Sequence, residues 1–152
     1  MNLHHYKSLL GVIEIEATDK AITGLRLLNF HKPATWQTSD NPLIRKACKQ
    51  LDEYFAGKRR TFDLPLSPEG TPFQQAVWKR LQEIPYAETI SYAQLAKAVG
   101  NPKACRAVGS ANGKNPIAII IPCHRVVASD GGIGGYASGV ENKIVLLNLE
   151  RI

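Results

Sequence analysis

Ser91-Tyr92-Ala93-Gln94-Leu95-Ala96-Lys97-Ala98-Val99-Gly100-Asn101-Pro102-Lys103-Ala104-Cys105-Arg106-Ala107-Val108-Gly109-Ser110-Ala111 decides how this chain folds. A Ser91 hydroxyl can accept from the free N–H groups of a helix start, and Gly100 tolerates the left-handed exit of a helix end, so the first helix is predicted over 92–99. Asn101-Pro102 then caps and opens a second helix, predicted from Pro102 to about Ala111. Two short helices across so tight a turn read as a helix-turn-helix. The second helix is slim. Ala104, Ala107, Val108 and Ala111 form an inner stripe and Gly109 permits close approach of a neighbour, while Lys103, Arg106 and Ser110 share the outer stripe. A sequence-specific regulator needs several long polar side chains on this helix to reach base edges. Here only Lys103 and Arg106 have the reach, so the helix suits holding nucleic acid without reading it.

Downstream, Ile117-Ala118-Ile119-Ile120-Ile121 reads as a buried strand or extended run that delivers the chain to Pro122-Cys123-His124-Arg125-Val126. Cysteine attacks as the thiolate, and a free thiol of pKa ~8.5 is mostly protonated at neutral pH. His124 can take the proton and Arg125 adds positive charge to the same turn. Neighbouring residues of a regular strand point to opposite faces, so Cys123 and His124 converge only through a tight turn or an intervening water. The loop Gly131-Gly132-Ile133-Gly134-Gly135-Tyr136 lacks the spacing of a phosphate cradle.

Upstream, the stretch from Asp63 to Pro72 holds three prolines and a glycine in ten residues, which marks a connector with the boundary near Ser67. The expected organisation is α+β in two lobes, 1–66 and 67–152. In the first, Val12-Ile13-Glu14-Ile15-Glu16 alternates, Thr18-Asp19-Lys20 turns, and Ile22 to Leu28 resumes an extended pattern, a hairpin signal. Asp40 is expected to cap a helix with Pro42 in its first turn, with Leu43, Ala47, Leu51 and Tyr54 or Phe55 on one face and Gly57 as the stop. Lys58-Arg59-Arg60 reads as a solvated turn. In the second lobe, Thr71-Pro72 opens a helix with Phe73, Val77, Leu81 and Ile84 at helical spacing, ending before Pro85. Its Phe73 and Trp78 are expected to pack in the core or between the lobes, not to form a base-stacking platform.

With 152 residues, 44% hydrophobic and 21% charged, the composition is that of an ordinary soluble globular protein. No apolar span approaches the ~20 residues of a transmembrane helix, and Met1 to Lys7 lacks the core of a secretory signal. Cys48, Cys105 and Cys123 lie too far apart for a disulfide framework or a Cys-x-x-Cys zinc site, so no metal is expected and a reducing cytoplasm is. A net charge of +6 favours a polyanionic partner.

Pro122-Cys123-His124-Arg125-Val126 resembles the signature of the O6-alkylguanine-DNA alkyltransferases. Ser91-Tyr92, Gly100 to Ala104, Arg106-Ala107-Val108-Gly109, Asn115-Pro116, Gly135-Tyr136, and Lys143 followed by Leu146-Leu147 and Glu150 fall in the same order and spacing. The resemblance is close over the C-terminal half and holds only in outline before it. It implies a ribonuclease-H-like N-terminal lobe, a small sheet with a helix, and a helical winged-helix or helix-turn-helix domain carrying the reactive cysteine. It implies direct, irreversible, single-turnover transfer of the O6-alkyl group of guanine in double-stranded DNA to Cys123, by a monomer bound in the minor groove with the base flipped out.

The residue roles come with the resemblance. Glu150, His124 and a water would relay the thiol proton, Asn115 would bridge the helix-turn-helix to the cysteine turn, and Tyr92 would protonate guanine N3. Arg106 would enter the base stack, with Lys103, Ala107, Gly109 and Ser110 beside it on the DNA. The carbonyls of Cys123 and Val126 would accept from the guanine amine, Tyr136 would line the base site, and the N–H of Ala137, where many relatives carry serine, would face O6. Lys143 would support the site. No cofactor is called for, because the lesion brings the alkyl group. Alternatives are a noncatalytic lesion-binding relative, which would lack the cysteine, a helix-turn-helix regulator that senses alkylation, and a cysteine hydrolase, for which no oxyanion hole is evident.

Overall fold

The computed structural model describes residues 2–136 and 139–151, and the chain divides into two compact units. The first comprises 1–69 together with 116–118, and the second comprises 70–115 and 119–152. The chain therefore returns to its first unit once, which a single cut near Ser67 does not capture.

The first unit is an antiparallel sheet ordered β1-β2-β3 with one helix on it. Strand β2 (Gly11–Ala17) and strand β3 (Ile22–Asn29) are the expected hairpin, and β2 buries Ile13, Ile15 and Ala17 on one face. Strand β1 (Asn2–Ser8) pairs with β2 through a Ser8↔Gly11 turn, and nothing in its polar composition announces it. It is an edge strand, so half its backbone needs no apolar neighbour. Its His5 is nonetheless buried, accepting from Gln37 N (2.8 Å) and bonded to Glu14 Oε2 (3.0 Å). Helix α1 (Pro42–Phe55) lays Ile44, Ala47, Leu51 and Tyr54 into the core, and Gly57 takes the left-handed φ of 74° just past its end. The cap is one residue later than expected. Asn41, not Asp40, accepts from Leu43 N (2.8 Å) and Ile44 N (3.1 Å), while its amide donates to Thr18 O (3.1 Å). Asp40 stays exposed.

In the second unit, helix α2 (Pro72–Leu81) begins with a reciprocal cap between Thr71 and Gln74. Trp78 is buried and donates from its indole N–H to Ala111 O (2.9 Å), whereas Phe73, expected in the core or between the lobes, is 37% exposed. Strand β4 (Ile90–Ser91) leads directly into helix α3 (Tyr92–Ala98), capped by Ser91 and Gln94. The turn that follows is longer than expected. Residues 101–104 form a turn, and helix α4 runs Cys105–Gly113 with no side-chain cap at Ala104. Lys103 therefore precedes the helix. Val108 and Ala111 face inward as expected, but Ala107 is exposed and Asn112 is buried in its stead.

The apolar run Ile117–Ile121 is buried throughout but is not a strand. Only Ile117 bridges to Leu25. Ala118 to Ile120 form a turn in which Ile119 holds φ at 69°, a region that a β-branched side chain rarely tolerates. A helical turn over Cys123–Arg125 then runs into strand β5 (Val126–Val127), which pairs in parallel with β4. Helix α5 (Val140–Arg151) closes the unit. Among the described residues no helix is long and apolar enough to cross a membrane.

Asn41→Ala should cost about 1–2 kcal/mol in urea unfolding, through the lost cap and the orphaned Thr18 carbonyl, while Asp40→Ala should change stability by less than about 0.5 kcal/mol. Equal losses in the two variants would contradict the assigned cap.

Candidate active site

The short parallel pair β4–β5 brings the ends of two segments together. Ile90 pairs with Val126 and Ser91 with Val127, so Tyr92, the first residue of α3, sits beside the turn that carries Cys123. Cys123 is 6% exposed and lies at the start of that turn, its own N–H bonded to Ile121 O (2.8 Å). Cys123 and His124 thus sit on a helical turn and not on a strand.

Two asparagines from the helix-turn-helix hold the turn. Asn115 donates to Ile121 O (2.7 Å), as its expected bridging place requires. Asn112, which the sequence reading passed over, donates to Cys123 O (3.3 Å). In sequence Asn112-Gly113 looks like a turn signal. The helix runs through it to Gly113, and its last turn carries Asn112 to the cysteine turn.

His124 is fully buried and its Nε2 meets Glu150 Oε2 at 2.6 Å. A carboxylate only accepts, so Nε2 carries the proton and Nδ1 keeps a free lone pair. That Nδ1 has no hydrogen-bond partner among the described residues. Glu150 reaches the site from the far end of α5 and is held on every side. Arg125 binds it with two parallel bonds, Nε to Oε1 (2.9 Å) and Nη2 to Oε2 (3.0 Å), and Ala87 N points at Oε1 (3.3 Å). Arg125 is itself buried, with Nη1 donating to Ile84 O (2.7 Å) and its guanidinium 5.7 Å from the Tyr86 ring. The sequence pointed to Arg125 as a nearby charge; its use as a fork around Glu150 depends on a contact 25 residues away in the chain.

Burial pushes the Cys123 thiol above its ordinary pKa, against the opposing pull of hydrogen bonds from Asn115 and Tyr136 and the charge of Lys143. Burial also pulls His124 below its ordinary 6.5, although the bond and charge of Glu150 act in the other direction. Tyr92 is raised above its ordinary 10.0, first by burial and then by Cys123, with the Asn112 amide opposing. The resting site therefore holds a neutral thiol, a neutral imidazole and a protonated phenol. Lys143, also fully buried, donates to Val126 O (2.6 Å) and Gly135 O (3.1 Å), and burial lowers its pKa.

Tyr92, Gly109, Asn112, Gly113, Gly135 and Tyr136 line a pocket of about 270 Å³. Gly134 explains one glycine of the loop: a Cβ there would lie 3.2 Å from the Tyr92 ring, and its φ of 76° favours glycine in any case. The Tyr92 hydroxyl donates to Gly135 O (3.4 Å). Val126 shares the site through its carbonyl. Arg106, Lys103, Ala107 and Ser110 lie apart on the exposed side of α4 and its preceding turn, and Ala137 lies outside the described residues. Among the described residues no cluster of His, Cys, Asp or Glu could hold a metal ion.

Fold and site together define a helix-turn-helix protein with a buried thiol whose turn is held by the end of its second helix. The chain belongs to the 6-O-methylguanine DNA methyltransferase family: residues 72–152 match its DNA-binding domain and 1–68 its ribonuclease-like domain. A methylated-DNA–protein-cysteine methyltransferase of Methanosarcina barkeri is 50% identical over 148 residues, covering 95% of this chain and 93% of that protein. One from Methanosarcina acetivorans is 47% identical over 152 residues, covering 95% of each. The crystal structure of Mycobacterium tuberculosis OGT in complex with DNA matches with a TM-score of 0.91 at 42% identity, over 99% of this chain and 93% of that one.

Two consequences of the Glu150 contacts can be measured. In Glu150→Gln the groups that lower the His124 pKa remain while its main support is weakened, so the imidazole should titrate at lower pH than in the wild type by NMR. An unmoved or raised titration would refute this assignment. Since His124 is depressed in the folded state, its contribution to stability is complete above about pH 6.5 and is lost as the pH falls below that value toward the folded pKa. Glu150→Ala, which strands Arg125 in the interior, should cost about 3–5 kcal/mol.

Proposed function

We propose that this protein repairs DNA by moving the O6-alkyl group of a guanine onto Cys123, once per molecule, without a cofactor. The observation that carries this reading is the line from Cys123 through the turn to His124 and Glu150, buried in the same unit as a helix-turn-helix. In this reading residues 67–152 are the DNA-binding and alkyl-acceptor domain, and a cytoplasmic monomer meets the duplex from the minor groove. Arg106 fills the space of the extruded nucleotide, and Lys103, Ala107, Gly109 and Ser110 lie along the strand. The small side chains suit a protein that must act at any sequence, because phosphate contacts position without specifying.

The chemistry follows from the protonation states. The thiol proton leaves for His124 Nδ1 through one water, and Glu150 stabilises the imidazolium as it forms. The charge of Lys143 and the bonds from Asn115 and Tyr136 favour the thiolate. Its sulfur attacks the alkyl carbon in line. The new C–S bond forms as the C–O6 bond breaks, and the electron pair enters the purine ring. Tyr92 gives its proton to guanine N3, so neutral guanine departs. The phenol suits that part because its raised pKa keeps the proton in place until the ring becomes basic. The product is a thioether, from which no proton transfer regenerates the thiol. The Cys123 and Val126 carbonyls, the N–H of Ala137 and the ring of Tyr136 hold the base, with Lys143 bracing Val126.

Mixed with a duplex containing one O6-methylguanine, the protein should gain the mass of one methylene, and Cys123→Ala should gain nothing. Tyr92→Phe should transfer about 10²-fold or more slowly in single-turnover assays. Tight lesion binding without a mass change would replace this reading with a recognition-only protein.

A further inference from the structure

Asn112 is buried in the last turn of α4, and its amide nitrogen serves two neighbours. One N–H donates to the Cys123 carbonyl (3.3 Å), and the side chain also hydrogen-bonds the Tyr92 phenol. A carbonyl oxygen only accepts, so the first contact fixes that end of the side chain as nitrogen. The second N–H of the same group then faces the phenol oxygen. The packing of Tyr92 agrees. Its ring lies along α4, where a Cβ on Gly109 would stand 3.8 Å from it, and Gly109 and Asn112 are three residues apart on one helix face. Tyr92, Gly109 and Asn112 line one pocket. The phenol proton is already committed outward, to Gly135 O at 3.4 Å. The order is therefore amide N–H to phenol oxygen, and phenol O–H away from the helix.

That order matters when the phenol loses its proton. In the function proposed above Tyr92 protonates guanine N3, and negative charge grows on a half-buried oxygen as it does so. A donor to the charged form favours ionisation, and a hydrogen bond to an ionised oxygen is roughly twice as strong as one to a neutral oxygen. An interaction that strengthens as charge develops lowers the barrier, whereas one that is equal before and during the step does not. The Asn112 contact with Tyr92 is of the first kind. Its contact with the Cys123 carbonyl is of the second, because that carbonyl carries the same charge throughout.

We propose that Asn112 is a positioning residue for the proton donor: one amide N–H holds the Tyr92 phenol oxygen and stabilises the charge that grows there, and the other ties the donor to the turn of Cys123. This inference rests on the alkyltransferase reading and deepens it.

The test is a double-mutant cycle in single-turnover methyl transfer from a duplex carrying O6-methylguanine. Asn112→Leu, of similar shape and without the donor, should slow transfer by about tenfold or more when Tyr92 is present. In the Tyr92→Phe background the same substitution should slow it by less than about threefold, because no phenol remains to be served. A second substrate gives an independent reading. On O6-methyl-3-deazaguanine, where a C–H replaces N3 and no proton can be received, Asn112→Leu should likewise lose most of its effect. Asn112→Ala follows the same pattern and serves if the leucine variant does not fold. Equal slowing in both backgrounds and on both substrates would mean that Asn112 only props the Cys123 carbonyl, and the proposal fails. It fails also if Asn112→Leu, or Tyr92→Phe alone, transfers as fast as the wild type. A wild type that transfers no methyl group from O6-methylguanine instead defeats the alkyltransferase reading itself.

Discussion

One carboxylate organises the reactive unit. Glu150 receives His124, both arms of Arg125 and the N–H of Ala87, so α5, the cysteine turn and the loop after α2 meet on two oxygen atoms. A buried ion pair of this kind is weak as a source of stability, because desolvating both charges offsets much of their attraction. Its value is geometric. The fork of Arg125 prevents Glu150 from rotating, Glu150 fixes the tautomer of His124, and the free lone pair of His124 is thereby aimed at a single place. Any looser arrangement would leave the imidazole able to flip.

The same burial keeps the thiol quiet. A cysteine in an apolar environment holds its proton more tightly than one in water, and the surrounding bonds and the Lys143 charge only partly counter that. The proposed chemistry therefore needs a proton acceptor that works when substrate is in place, not a standing thiolate. Such a site resists casual oxidation and stray electrophiles, which matters for a protein that can react once.

How much of this was legible in the sequence follows the range of the interactions. Local signals read well: the Ser91 cap, the Gly100 exit, the β2–β3 hairpin and the stop at Gly57 are each decided within a few residues. Errors arose where a distant partner decided. Asn41 displaced Asp40 as cap because its amide also satisfies Thr18 across the unit. The isoleucine run at 117–121 has strand composition, but its chain satisfies one bridge and then turns through Ile119. Ala107 faced outward once the helix began at Cys105 instead of Pro102. In the site, Cys123 and His124 were visible because they are adjacent and chemically distinctive. Glu150 and Asn115 were visible only by likeness to a family. Asn112 was missed because its contacts, the Cys123 carbonyl and the Tyr92 phenol, lie outside its own helix and nothing beside it in the sequence suggests them.

The slimness of α4 bears on how such a protein finds a rare target. Placed against the duplex as proposed, a helix whose exposed side carries Cys105, Arg106, Ala107 and Ser110 would offer almost the same energy to every base step. The landscape along undamaged DNA is then smooth, with barriers between neighbouring registers too small to hold the protein. In that arrangement charge would keep the protein close to the duplex and the absence of readers would keep it moving, so that diffusion along one dimension replaces repeated collision in three.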